Sequence, residues 1–190
     1  MSRKRKTLKL EDIPKYESLI IAIKKARRHR LKPRDLALVS ILVFTGCRLG
    51  EVLKLRVKDI DFKHRTIRIH QEKKGKKFIR IVPIPHDLFW DIIERYTRSI
   101  PYKSERLFSI TIRQARNIVY NFTTRYLKSR IRPHAIRHSY AIFVLKHTKD
   151  LEALRRLLGH SDYKWLKVYL DYTQEDLETM LREAYERLSE

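Results

Sequence analysis

The chain has a single cysteine, Cys47, in 190 residues. That excludes an internal disulfide and fits a reducing compartment such as the cytoplasm. Glycine is nearly as scarce, with four residues at positions 46, 50, 75 and 159. No Gly-rich nucleotide loop of the Walker type is among them. No apolar run approaches the roughly 18 residues of a membrane span, so no membrane partner is expected. The N-terminus, M-S-R-K-R-K-T, has basic residues but no apolar stretch after them, so it is not a secretory signal. Repeats and low-complexity tracts are missing too. Acidic residues are the last shortage, 22 against 44 Lys+Arg, which leaves a formal charge of +22.

Such an excess of positive charge calls for a polyanion, because neutralising phosphates and releasing their counterions dominates nucleic-acid affinity. The charge is unevenly spread. Residues 1–170 hold 42 of the basic and 15 of the acidic residues, and residues 171–190 hold 2 and 7. The body faces the polyanion and the tail does not. A hydrophobic share of 43% supports one globular core. High Lys, Arg and Glu with little glycine is also a composition that thermophiles favour.

Met1 to Leu10 reads as a basic arm, and residues 11–190 as one domain. A helix is expected over Pro14–Arg28, and a second, apolar nearly all round and therefore buried, begins at Pro33. It runs into T-G-C-R-L-G-E, where Arg48 and Glu51 are three apart and the two flanking glycines permit close backbone approach. Arg65–His70 and Ile79–Val82 alternate with period two, joined by Lys73-Lys74-Gly75-Lys76-Lys77. This predicts an antiparallel hairpin with a lysine-rich tip, and Asp59–Phe62 adds a short third strand. Helices follow over His86–Arg98 and Thr111–Lys128. The second carries an apolar stripe of Ile112, Ala115, Ile118/Val119 and Phe122. Arg113, Arg116, Asn117, Tyr120 and Thr124 lie opposite, a face that suits a DNA groove.

Residues 132–173 hold the densest chemistry. Pro133 starts a helix with His134 and Arg137 on one face. Another helix ends at Gly159, which puts His160 just past its C-cap. Tyr163, Tyr169 and Tyr172 follow. A last helix, about 174–188, has an apolar seam on an acidic background, for docking or for exchange between protomers. His134 and His138 could begin a metal site, yet no third ligand is evident. Cys47, Tyr140 and Trp165 read as packed residues.

T-G-x-R-x-x-E, the lysine hairpin, H-x-x-R-H, L-L-G-H and a tyrosine nine residues later resemble, in order and spacing, the tyrosine recombinases. These include phage integrases and Xer-type enzymes, and the resemblance covers about residues 33 to 185. It implies a mainly α catalytic domain with a small antiparallel sheet, acting on double-stranded DNA without metal, ATP or another cofactor. Arg48 and Arg137 would clamp the scissile phosphate, with Glu51 supporting Arg48. Tyr169 would attack phosphorus and leave a 3′-phosphotyrosine, with Tyr172 as the alternative nucleophile. Lys73, or Lys74, would protonate the departing 5′ oxygen. His134 would accept the tyrosine proton or hold the phosphate, and His160 would add a hydrogen bond to it. Lys74, Lys76, Arg113, Arg116 and Asn117 would contact DNA. The family usually has a helical core-binding domain before the catalytic one, and the sequence predicts its absence here. It also assembles as a tetramer on DNA, with a monomer expected alone, at the cytoplasmic nucleoid. The rivals are a non-catalytic DNA-binding remnant or accessory module, and a type IB topoisomerase.

Overall fold

The computed structural model describes residues 13–73, 76–100 and 106–159. The chain folds around one buried helix, α2 (Pro33–Thr45), whose residues from Leu36 to Thr45 are all buried. Their apolar side chains leave no polar face, so the helix is stable only with neighbours on every side. Helices α1 (Tyr16–Arg28), α4 (Asp87–Thr97), α5 (Ile112–Leu127) and α6 (Pro133–Thr148) surround it. Pro33 starts α2 at a position where a missing N–H costs nothing. Gly46 ends it in the left-handed conformation, φ 58°, donating its N–H to the Leu42 carbonyl.

A Cβ at Gly46 would also overlap the Tyr140 ring, so this glycine is doubly required. Gly50 is not. A Cβ there meets nothing within 4 Å, which corrects the expectation that both glycines serve close approach.

After α2 comes a single helical turn, α3 (Leu49–Val52), then a 3-10 turn and a three-stranded antiparallel sheet. The strands are β1 (Ile60–Asp61), β2 (Thr66–Lys73) and β3 (Lys76–Pro83), in that spatial order. The hairpin is longer than its alternating apolar core. Pairing runs from Thr66 opposite Pro83 to Lys73 opposite Lys76, so both lysines belong to strands rather than to the loop. Lys74 and Gly75 lie outside the described residues. One face of β2 carries Ile67, Ile69 and Gln71, and the register sets Val82, Arg80 and Phe78 beside them. Ile67, Ile69 and Val82 are fully buried in the core.

The remaining elements are fixed by local signals. In α5, Thr111 and Gln114 cap each other, the Gln114 amide donating to Thr111 Oγ1 and the Thr111 amide to Gln114 Oε1. In α7 (Leu151–Leu158), Asp150 accepts from the amides of Glu152 and Ala153. Gly159 ends α7 in the left-handed region at φ 66°. Tyr140, Ala141, Val144, Leu145, Leu154 and Leu158 form a second apolar cluster that fastens α7 to α6. Cys47 and Tyr140 are buried, as the sequence predicts. Ile112 departs from its expected stripe and is half exposed on the side of α5 facing α3 and α6. No helix among the described residues is long and apolar enough to cross a membrane.

Candidate active site

Three elements meet at an open cleft of about 370 Å³, lined by Cys47, Arg48, Leu49, Ile112, Arg116, Tyr120, Arg132, Pro133, His134 and Arg137. Arg48 comes from the start of α3, Arg116 and Tyr120 from α5, and Arg132 to Arg137 from the start of α6. The cleft is therefore strongly cationic, with four arginines and a histidine on its walls. The Arg130 guanidinium lies 4.3 Å over the Tyr120 ring, a cation–π contact at the rim.

Arg48 and Arg137 are held in different ways. Arg48 is the residue before the first turn of α3, with an extended backbone at φ −75°, ψ 148°, and Glu51 sits at the third helical position. The Glu51 carboxylate accepts from the Arg48 backbone N–H at 2.9 Å and from Arg48 Nη1 at 3.0 Å. The two residues three apart in sequence therefore pair through a capping arrangement, with Arg48 before the helix rather than on it. Arg137 is 2% exposed and donates from Nη1 to the Gly46 carbonyl at 2.7 Å and from Nη2 to the Leu158 carbonyl at 2.9 Å. These carbonyls are the left-over acceptors at the ends of α2 and α7, so two helix termini position one guanidinium.

The electrostatics follow from crowding. Burial and the nearby Arg48 cation lower the Arg137 pKa to about 10, so it remains charged at neutral pH. Burial, then Arg137 and Arg48, also lower the His134 pKa, which favours a neutral ring. His138 meets His134 edge to face at 4.5 Å between ring centroids. Burial first, then His134 and Arg137, lower its pKa to about 4. Glu51 runs the other way. Burial would raise its pKa, but the Arg80 hydrogen bond and charge, with bonds from Gln71 and Arg48, hold the carboxyl at about 2. Like-charged groups held this close in a cleft are stabilised together by an anion, and a phosphate oxygen matches the guanidinium geometry.

Of the expected site residues, Arg48, Glu51, His134, Arg137 and Arg116 are brought together. Arg113 and Asn117 are exposed on α5 and do not line the cleft. Lys73 and Lys76 sit opposite each other near the hairpin end. Lys74, His160, Tyr169 and Tyr172 lie outside the described residues. No group of three or more His, Cys, Asp or Glu among the described residues could hold a metal ion.

Two residues that the sequence reading left out belong to the same cluster. Gln71 Nε2 donates to Glu51 Oε1 at 2.8 Å, and Arg80 Nη2 donates to Glu51 Oε2 at 2.8 Å. For Gln71 a signal existed, a polar side chain continuing the buried phase of Ile67 and Ile69. For Arg80 the pattern pointed the wrong way, because its neighbours Ile79 and Ile81 look like the buried pair.

Residues 14–176 match the model of the phage integrase family. A tyrosine recombinase of Pseudothermotoga lettingae is 33% identical over 149 residues, 75% of this chain and 51% of that protein. The tyrosine recombinase XerA of Thermococcus onnurineus is 31% identical over 180 residues, 90% of this chain and 60% of that protein. The chain thus spans between half and two thirds of the length of these curated relatives. Among solved structures, XerA recombinase superposes with a TM-score of 0.71 at 21% identity, covering 90% of this chain and 66% of that one. XerH recombinase bound to its difH substrate before cleavage gives 0.74 at 22% identity, covering 94% and 56%. The mainly helical fold with its small sheet is that of tyrosine recombinase catalytic domains, and the chain belongs to the phage integrase family.

Proposed function

We propose that the chain is the catalytic part of a site-specific recombinase that breaks and rejoins double-stranded DNA through a 3′-phosphotyrosyl intermediate. The observation that carries this reading is the pairing of Arg48 and Arg137 on one cleft, each fixed from behind by acceptors that do not occupy the cleft. Two guanidiniums so held stabilise the charge that builds on the non-bridging oxygens as phosphorus is attacked. The phenolic oxygen of Tyr169 forms the new P–O bond as the bond to the 5′ oxygen breaks. His134, favoured as a neutral ring, accepts the phenolic proton, and Lys73 donates a proton to the departing oxygen. One phosphodiester is exchanged for a phosphotyrosyl ester, so no nucleotide is consumed, and the arginine pair supplies the positive charge.

Lys73, the last residue of β2, is preferred to Lys74 as the proton donor; β2 is the strand whose Gln71 is bonded to Glu51. His160 follows directly on the α7 cap and adds a bond to the phosphate. Arg116 at the cleft tracks the flanking backbone together with Arg113 and Asn117 of α5, and Lys74 and Lys76 are assigned the same role. On two paired sites the protein works as a tetramer, at the nucleoid.

A nicked suicide duplex that traps covalent intermediates, used with metal chelated, tests the chemistry. Denaturation-resistant adduct is expected from the wild type and from Tyr172→Phe, and none from Tyr169→Phe. Loss in Tyr172→Phe alone would move the nucleophile. Tight binding to a substrate known to contain a site, with no adduct from any form, would support a non-catalytic binding module instead.

A further inference from the structure

The Glu51 carboxylate accepts four hydrogen bonds, which fills its acceptor positions. Oε1 takes Arg48 Nη1 and Gln71 Nε2, and Oε2 takes the Arg48 amide and Arg80 Nη2. The two donors beyond Arg48 both come from the hairpin, Gln71 from β2 and Arg80 from β3. The Arg48 side chain is 46% exposed, whereas the Glu51 carboxylate it bonds is 10% exposed and held by the hairpin. Its orientation therefore depends on a carboxylate that cannot itself move.

Arg80 is an odd choice if stability were its only purpose. Its side chain is 8% exposed, and its Nε and Nη1 find no partner among the described residues. A buried cation left so incompletely bonded stabilises less than an apolar side chain of the same shape would. Gln71 has a second attachment. A Cβ at Gly159 would overlap its carboxamide, so the amide lies against the end of α7, next to the Leu158 carbonyl that holds Arg137. One amide thus bonds the carboxylate that holds Arg48 and packs against the glycine that ends α7.

We propose that Gln71 and Arg80 are positioning residues of this site. Through Glu51 they hold Arg48 on the cleft wall and lock it in register with the hairpin that carries Lys73. The inference rests on the recombinase reading and goes beyond it by assigning two residues that touch no substrate. It also requires the hairpin and Arg48 to move as one body, so that proton donor and phosphate clamp keep a fixed separation.

The experiment is a double-mutant cycle on single-turnover cleavage of the nicked duplex, with DNA affinity measured beside it. Arg80→Met and Gln71→Met should each slow cleavage by roughly tenfold to a hundredfold, the scale of a misplaced reacting group. Affinity should change by less than about threefold, because neither side chain reaches DNA. Combined with Arg48→Ala, neither should slow cleavage further, since the residue through which they act is gone. Should Arg80→Met fail to fold, Gln71→Met removes no charge and carries the same test. Unchanged cleavage in the single variants, or losses that multiply with that of Arg48→Ala, would overturn the inference while leaving the recombinase reading intact. A wild type that forms no adduct on a substrate known to contain a site would overturn both.

Discussion

Glu51 and His138 make the fold sensitive to acid over two adjoining ranges. The Glu51 carboxyl has an ordinary value of 4.5 and is held at about 2. Between these values the unfolded chain binds the proton that the folded chain refuses. Its contribution, about 3 kcal/mol, is therefore present above pH 4.5 and lost as pH falls toward 2. His138 has a folded value of about 4 against 6.5, so its share is present above pH 6.5 and lost as pH falls to 4. The partly buried ring makes that share smaller, about 2 kcal/mol. Urea unfolding followed from pH 7 to 4.5 should show a fall in stability that His138→Phe flattens. A fall of equal size in the variant would contradict the assignment. The same residues show what the sequence could and could not reveal. That His134 and Arg137 come together was legible because helix spacing fixes neighbours one turn apart. The bonds of Arg137 to Gly46 and Leu158 were not, because they join positions 91 and 21 residues away in the chain.

At the scale of elements, the hairpin separates the two kinds of information. Its existence, direction and approximate ends follow from alternation and from the glycine between the lysines. Its burial phase does not. Read alone, β3 offers Ile79 and Ile81 as the inward pair, yet each is 60% exposed, whereas the Arg80 side chain points inward at 8% exposed and Val82 is fully buried. Register decides this, because Val82 is paired with Ile67 and Arg80 with Ile69 on the core side of β2. Ile79→Thr and Ile81→Thr should each change the free energy of unfolding by less than about 0.5 kcal/mol. Val82→Ala should cost about 2 kcal/mol, as deleting buried methyl groups does. Chemical denaturation of the three variants distinguishes the phases. Large losses at Ile79 and Ile81 with none at Val82 would mean the opposite face is inside.

For the molecule as a whole, the buried α2 collects the helices that carry the site, and its C-terminal carbonyl holds one of the two arginines. Core and site share a hinge point at Gly46, where the helix ends, the Tyr140 ring closes in and Arg137 is bonded. Net charge favours polyanion partners, and on the proposed reading the cleft, not the net charge, sets the chemistry. The central claim is that Arg48 and Arg137 act on the phosphate during its transfer rather than merely attracting DNA. Single-turnover cleavage with Arg48→Ala and Arg137→Ala, at DNA concentrations that saturate each variant, tests it most directly. The expected result is a loss of roughly a hundredfold or more in the cleavage step for each, the scale of removing one donor to a developing oxyanion. Cleavage at the wild-type rate once DNA is saturating would show that the arginines only bind, and would contradict the account.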